Sequence, residues 1–100
     1  MHMIIAEFDP TPEGEAELEA QLRLMVASSR QESGTLSYGI SRDERGWVVM
    51  EAYRDAKAMK THLASPALKV LLEKAPGLLR SEARVRIIES VEAFGFGEAR

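Results

Sequence analysis

The run Trp47-Val48-Val49-Met50-Glu51-Ala52-Tyr53-Arg54-Asp55, followed shortly by His62-Leu63-Ala64-Ser65-Pro66, decides the fold. Side chains of a strand alternate between its faces, so a strand over Trp47 to Arg54 puts Trp47, Val49, Glu51 and Tyr53 on one face. Asp55 then stands where a helix N-cap belongs, its carboxylate placed to accept from a free first-turn amide. That helix runs through Leu63 and carries His62. Ser65-Pro66 breaks and restarts it: Ser65 caps the second piece and Pro66 takes its first position, where a missing N–H is tolerated. A carboxylate, a phenol and an imidazole are thereby expected to converge between a sheet and a helix.

Outward from this stretch the rest of the chain falls into elements. Upstream, Leu36, Tyr38 and Ile40 alternate with Ser37, Gly39 and Ser41, which makes a second strand. Asp43-Glu44-Arg45-Gly46 is turn chemistry, with Gly46 able to take a positive φ, so these two strands form a hairpin. Met3 to Phe8 reads as the first strand, largely apolar on both faces. Asp9-Pro10-Thr11-Pro12 stops it and starts a helix. Thr11 is its expected N-cap and Pro12 its first residue, with Glu13 and Glu15 at the positive end of the dipole. Leu18, Leu22, Met25, Val26 and Ser29 recur at helical spacing, and Gly34 ends the segment.

Downstream, Leu68, Leu71, Leu72 and Ala75 stripe the restarted helix, and Pro76-Gly77 ends it. Ala83 to Val91 reads as the fourth strand, Val85 and Ile87 opposite Arg84, Arg86 and Ile88. The order is βαββαβ, the ferredoxin-like α+β arrangement of one antiparallel sheet with its helices on one face. Residues 1–100 are expected to form one domain with its core over about 3–91. Residues 92–100 are a C-terminal arm containing Phe94-Gly95-Phe96-Gly97.

Composition narrows the function classes. The 100 residues carry a net charge of −3 and are 45% apolar, ordinary for a globular chain. No basic patch stands out, which argues against nucleic acid and anionic membrane as partners. No apolar run approaches a membrane span, and no signal-peptide pattern opens the chain. The absence of cysteine removes disulfides, thiolate nucleophiles and Cys-type metal sites, and fits a cytoplasmic protein. His2 and His62 are far apart, and neither has a carboxylate at ligand spacing on one helix, so no metal is expected.

The sheet pattern carries an expectation about assembly. If Trp47, Val49, Glu51 and Tyr53 face the helices, Val48, Met50 and Ala52 face away. Either Met3 and Ile5, or Ile4, Ala6 and Phe8, add to that outer face. An apolar face of this size is a large exposed patch on a monomer. Packing the outer sheet faces of two copies together buries it, which predicts a two-fold homodimer.

Three motifs carry a family resemblance: Gly34-Thr35-Leu36-Ser37-Tyr38, then Glu51-Ala52-Tyr53-Arg54-Asp55, then His62-Leu63-Ala64-Ser65-Pro66. In order and spacing, over about Met3 to Ile88, they resemble the antibiotic biosynthesis monooxygenase family, including its quinol monooxygenase-like members. The resemblance implies a dimeric α+β barrel built from one ferredoxin-like sheet per subunit. It also implies oxidation of a small phenolic or quinol-type aromatic by molecular oxygen, with no metal, flavin or haem. The substrate, once deprotonated, supplies the electrons. The haem-degrading members of the superfamily have a different pattern. Their strand-three tryptophan is Tyr53 here, their haem-ligating histidine falls near Leu72, and Glu7-Phe8 stand where they carry an asparagine.

Residue roles follow from chemistry and from that resemblance together. Imidazole has a reference pKa near neutrality, so the residue type at His62 suits proton transfer from a substrate hydroxyl. Glu51 is costly on an inward face unless paired, and it either orients His62 or bonds backbone amides, Arg54, Arg23 or Arg42. Tyr53 and Tyr38 are hydrogen-bond donors toward a substrate oxygen, or else core aromatics with wet hydroxyls. Trp47, Met25 and Met59 are candidates for cavity walls, against the plainer reading of core filling. Two alternatives stay open: a non-catalytic ligand-binding or assembly domain, and a small-molecule isomerase using His62 to shuttle a proton.

Overall fold

The structure is a computed structural model that describes residues 1–96. The elements are β1 (His2–Phe8), α1 (Glu15–Arg30), β2 (Thr35–Arg42), β3 (Trp47–Tyr53), α2 (Ala56–Leu63), α3 (Pro66–Lys74) and β4 (Arg84–Glu89). A single 3-10 turn, Ala75–Gly77, follows α3. The strands lie in the order β2-β3-β1-β4, and every neighbouring pair is antiparallel. This is the ferredoxin-like α+β plan that the alternation and capping pattern predicts, with its second helix divided in two.

The divided helix is built by its caps. Asp55 Oδ1 accepts from the Ala58 amide at 2.8 Å, and Ser65 Oγ accepts from the Leu68 amide at 3.3 Å. Each such cap is worth about 1 kcal/mol. The first fixes where α2 starts, and therefore which side of that helix His62 occupies.

Register decides the faces. Ile4, Ala6 and Phe8 pair with Glu51, Val49 and Trp47, while Tyr38 pairs with Glu51 from the other side. Ala6, Phe8, Trp47 and Val49 form the core with Leu18, Leu22 and Met25 of α1 and Leu71 of α3. Leu18 and Leu22 are fully buried, which stabilises the fold by roughly 1.5–3 kcal/mol each. Of the two sets in β1, it is Met3, Ile5 and Glu7 that point away from the helices, alongside Val48, Met50 and Ala52. Ile87 and Val85 pair with Ile4 and Ala6, so they too lie on the helix side. Both stay more than half exposed, because the helices do not reach over the edge strand β4.

Several sequence-based boundaries move. Thr11 does not cap α1. Its amide is held by the Leu78 carbonyl, and its hydroxyl accepts from the Gly14 amide at 3.0 Å, closing a turn over Pro12 and Glu13. The helix proper begins at Glu15, with Gly14 at its N-cap and no side-chain cap. β4 is shorter than the apolar run suggests, since β1 supplies partners only from Glu7 (for Arg84) to His2 (for Glu89). Val91 is exposed beyond the end of β4, Phe94 of the C-terminal arm is exposed, and residues 97–100 lie outside the described residues. Among the described residues no helix is long and apolar enough to cross a membrane.

Candidate functional site

A cavity of about 230 Å³ lies between the sheet and the α2–α3 pair. Phe8, Leu68, Leu71, Leu72, Val85 and Ile87 supply most of its wall. Among the described residues its polar side chains are Tyr38, Glu51 and His62. The sheet places Tyr38 and Glu51 beside each other as register partners on β2 and β3, and α2 brings His62 over them. The His62 ring centroid is 5.6 Å from that of Tyr38 and 5.2 Å from that of Tyr53.

The polar groups form a chain. Tyr53 donates its hydroxyl proton to Glu51 Oε1 at 2.5 Å. The same Glu51 oxygen lies 3.5 Å from His62 Nε2, and His62 Nδ1 lies 3.0 Å from Glu32 Oε1. The Thr35 hydroxyl donates to that Glu32 oxygen at 2.7 Å. His62 is 2% exposed, so its ring reaches water only through neighbours. Of its two carboxylates, Glu32 makes the closer contact.

Burial sets the protonation preferences. It pushes the Glu51 carboxyl above its ordinary value, opposed by the Tyr53 hydrogen bond and the charge of His62. Burial likewise raises the Tyr53 phenol, reinforced by its bond to Glu51. The Tyr38 phenol is raised by burial and then by the nearby Glu51 and Glu32 charges. Both tyrosines are therefore hydrogen-bond donors at neutral pH. A carboxyl that holds its proton more readily than usual, next to an imidazole, is suited to passing protons.

The antibiotic biosynthesis monooxygenase profile matches residues 1–74. The chain belongs to the antibiotic biosynthesis monooxygenase family. Within and around that family, a Mycobacterium tuberculosis protein named "putative monooxygenase" is 37% identical over 65 residues, 63% of this chain and 64% of that protein. An uncharacterised Synechocystis protein is 29% identical over 84 residues, 81% of this chain and 57% of the relative. The match thus spans less than two thirds of the length of both curated relatives. The solved structure of the M. tuberculosis protein superposes with a TM-score of 0.88 at 27% identity, covering 94% of this chain and 98% of the other. A Deinococcus radiodurans structure carrying the same family description gives a TM-score of 0.86 at 26% identity, covering 95% and 97%.

The residues singled out in the sequence of this family member divide by location. Tyr38, Glu51 and His62 line the cavity, and Tyr53 stands behind Glu51 as its donor. Trp47 and Met25 do not reach it. Both belong to the core, with Trp47 Nε1 donating to Glu15 at 3.1 Å and Arg42 stacked 4.9 Å from its ring centroid. Met59 is not among the lining residues either. None of the arginines considered as partners of Glu51 takes that role. Arg23 pairs with Glu19, Arg42 approaches Glu15 and Glu19, and Arg54 bonds the Ser33 carbonyl.

Glu32 is the residue that sequence reasoning missed. It follows the C-terminal end of α1, where a negative charge opposes the helix dipole. That misfit was the available signal. Gly34 explains how Glu32 reaches the site: a Cβ there would stand 2.4 Å from Ala58 Cβ, so glycine lets α2 close onto the β2 entry loop. Gly34 serves this close approach rather than a positive φ. Leu72, more than half exposed, sits at the cavity rim. Among the described residues no group of three or more His, Asp or Glu is arranged to hold a metal ion.

Proposed function

We propose that this protein is a monooxygenase that uses no metal, flavin or haem and oxidises a small phenolic or quinol-type aromatic with molecular oxygen. The observation that carries the reading is the cavity itself: apolar walls on one side, and Glu51, His62 and Tyr38 gathered at the other. Its volume falls below the roughly 300–1,000 Å³ usual for drug-sized ligands, so the occupant is small. A flat ring fills the apolar part, and its hydroxyl meets His62 and Glu51. Family membership and the name of the M. tuberculosis relative support the same class of reaction.

In this reading the substrate hydroxyl gives its proton to the Glu51–His62 pair, leaving an electron-rich anion that reacts with oxygen. One oxygen atom enters the product in exchange for two hydrogens, and the other leaves as water. The substrate supplies all four electrons that reduce the oxygen molecule, so no redox group of the protein is consumed. Tyr38 and Tyr53, held protonated, donate hydrogen bonds: Tyr53 fixes Glu51, and Tyr38 faces the developing negative charge. The outer sheet face, with Met3, Ile5, Val48 and Met50, packs against a second copy to form a homodimer. A chain without cysteine is at home in the cytoplasm.

The test is oxygen uptake by metal-stripped protein across naphthoquinols, catechols and polyphenols, each corrected for uptake without protein. Uptake is expected for at least one class, and His62→Ala should lower it by about a hundredfold or more. Full uptake in His62→Ala removes the assigned role. No uptake with any class turns the same residues toward an isomerase that shuttles a proton without oxygen.

A further inference from the structure

His62 lines one cavity and touches a residue of another. Its Nε2 edge shares the apolar cavity with Glu51, and its Nδ1 lies 3.0 Å from Glu32. Glu32 lines a second cavity, of about 370 Å³, bordered by Gly34, Thr35, Arg54, Lys57 and Thr61. Arg54, Lys57 and Thr61 are exposed, so this second cavity is a wet surface cleft. His62 on the apolar cavity and Glu32 on the cleft are thus in direct contact.

We infer that Glu32 is the outlet through which His62 exchanges protons with bulk water, so that the imidazole carries protons between the apolar cavity and the outer cleft. The Glu32 oxygen that meets Nδ1 is also held by the Thr35 hydroxyl at 2.7 Å, which keeps the carboxylate turned inward. The opposite route crosses a wall in which, among the described residues, the polar side chains are Tyr38, Glu51 and His62 themselves. An imidazole is suited to this relay because it can take a proton on one nitrogen while releasing one from the other.

The relay's part in turnover rests on the oxygenase reading, and its bookkeeping closes there. When the substrate O–H bond breaks, an Nε2–H bond forms, Nδ1–H breaks, and the proton passes to Glu32 and then to cleft water. The departing oxygen atom leaves as water with the hydrogen lost from the oxidised ring carbon and the proton that Nε2 gives back, while Glu32 returns one to Nδ1. The ring ends in the tautomer in which it began.

Exchange of the His62 ring protons with water, read by nitrogen-15 NMR without any substrate, tests the outlet. Glu32→Gln keeps an acceptor for Nδ1–H but cannot take up the proton. Exchange is expected to slow by about tenfold or more, with the tautomer unchanged. Glu32→Asp, which keeps the acid, should exchange faster than Glu32→Gln. Leu72→Trp, at the exposed rim of the apolar cavity, narrows the opposite route and should leave the rate as in the wild type. An unchanged rate in Glu32→Gln, or a slowed one in Leu72→Trp, overturns the proposal. Should Glu32→Gln fail to fold, the Leu72→Trp rate decides alone. Because no substrate enters the measurement, missing oxygen uptake would remove the oxygenase reading and leave the outlet standing, and the reverse holds equally.

Discussion

His62 stands between two carboxylates in different surroundings, Glu51 beside the apolar cavity and Glu32 beside the wet cleft. The difference gives Glu51 a measurable pH signature. Its carboxyl titrates above its ordinary value of 4.5 in the fold, chiefly because it is buried. Between the unfolded and folded values, the folded chain holds a proton that the unfolded chain has lost. The stability contributed by neutral Glu51 is therefore complete below the unfolded value and disappears as pH rises through the folded one. Glu51→Gln is neutral throughout and still accepts from Tyr53. Its melting temperature should gain on the wild type as pH rises from about 4 to about 8. A difference that stays flat would show that Glu51 titrates normally. At this scale Glu51, Tyr53 and His62 were legible, because strand alternation and one helix cap fix their directions. Glu32 was not, since it meets His62 only after α2 has docked on the loop before β2.

That docking belongs to the scale of elements. α2 is short, eight residues, and too short to hold its helical form alone. Its Asp55 cap and its contact with the Gly34 loop position it. Gly34→Ala would bring a methyl group to 2.4 Å from Ala58 Cβ, forcing α2 outward. The expected cost is about 1–3 kcal/mol in urea denaturation, and Ala58→Gly added to it should recover part of the loss. Wild-type stability in Gly34→Ala would mean that α2 yields without strain. The caps of α2 and α3 were readable from Asp55 and Ser65-Pro66, since side-chain caps are local. The start of α1 was not, because Thr11 is claimed by the distant Leu78 carbonyl, a tertiary contact that its own neighbours do not announce.

At the scale of the whole molecule, element order and alternation were enough for the βαββαβ sheet. They left open which side of β1 faces outward, since both sides are apolar, and only pairing with β3 resolves that. The outcome leaves Met50 about half exposed on a sheet face with Val48, Met3 and Ile5. A lysine there would place a charge in the middle of the proposed dimer contact. Met50→Lys is expected to sediment as a monomer where the wild type sediments as a dimer, and unchanged sedimentation would mean that this face is not the interface. The central claim is that the cavity presents a small aromatic hydroxyl to His62. Its most direct test is an anaerobic titration with a naphthoquinol, oxygen being withheld so that nothing turns over, followed by nitrogen-15 NMR of the histidine rings. The account predicts a shift at His62 Nε2, with Nδ1 still bonded to Glu32. Binding that moves residues of the Glu32–Arg54 cleft and leaves Nε2 unshifted would contradict it.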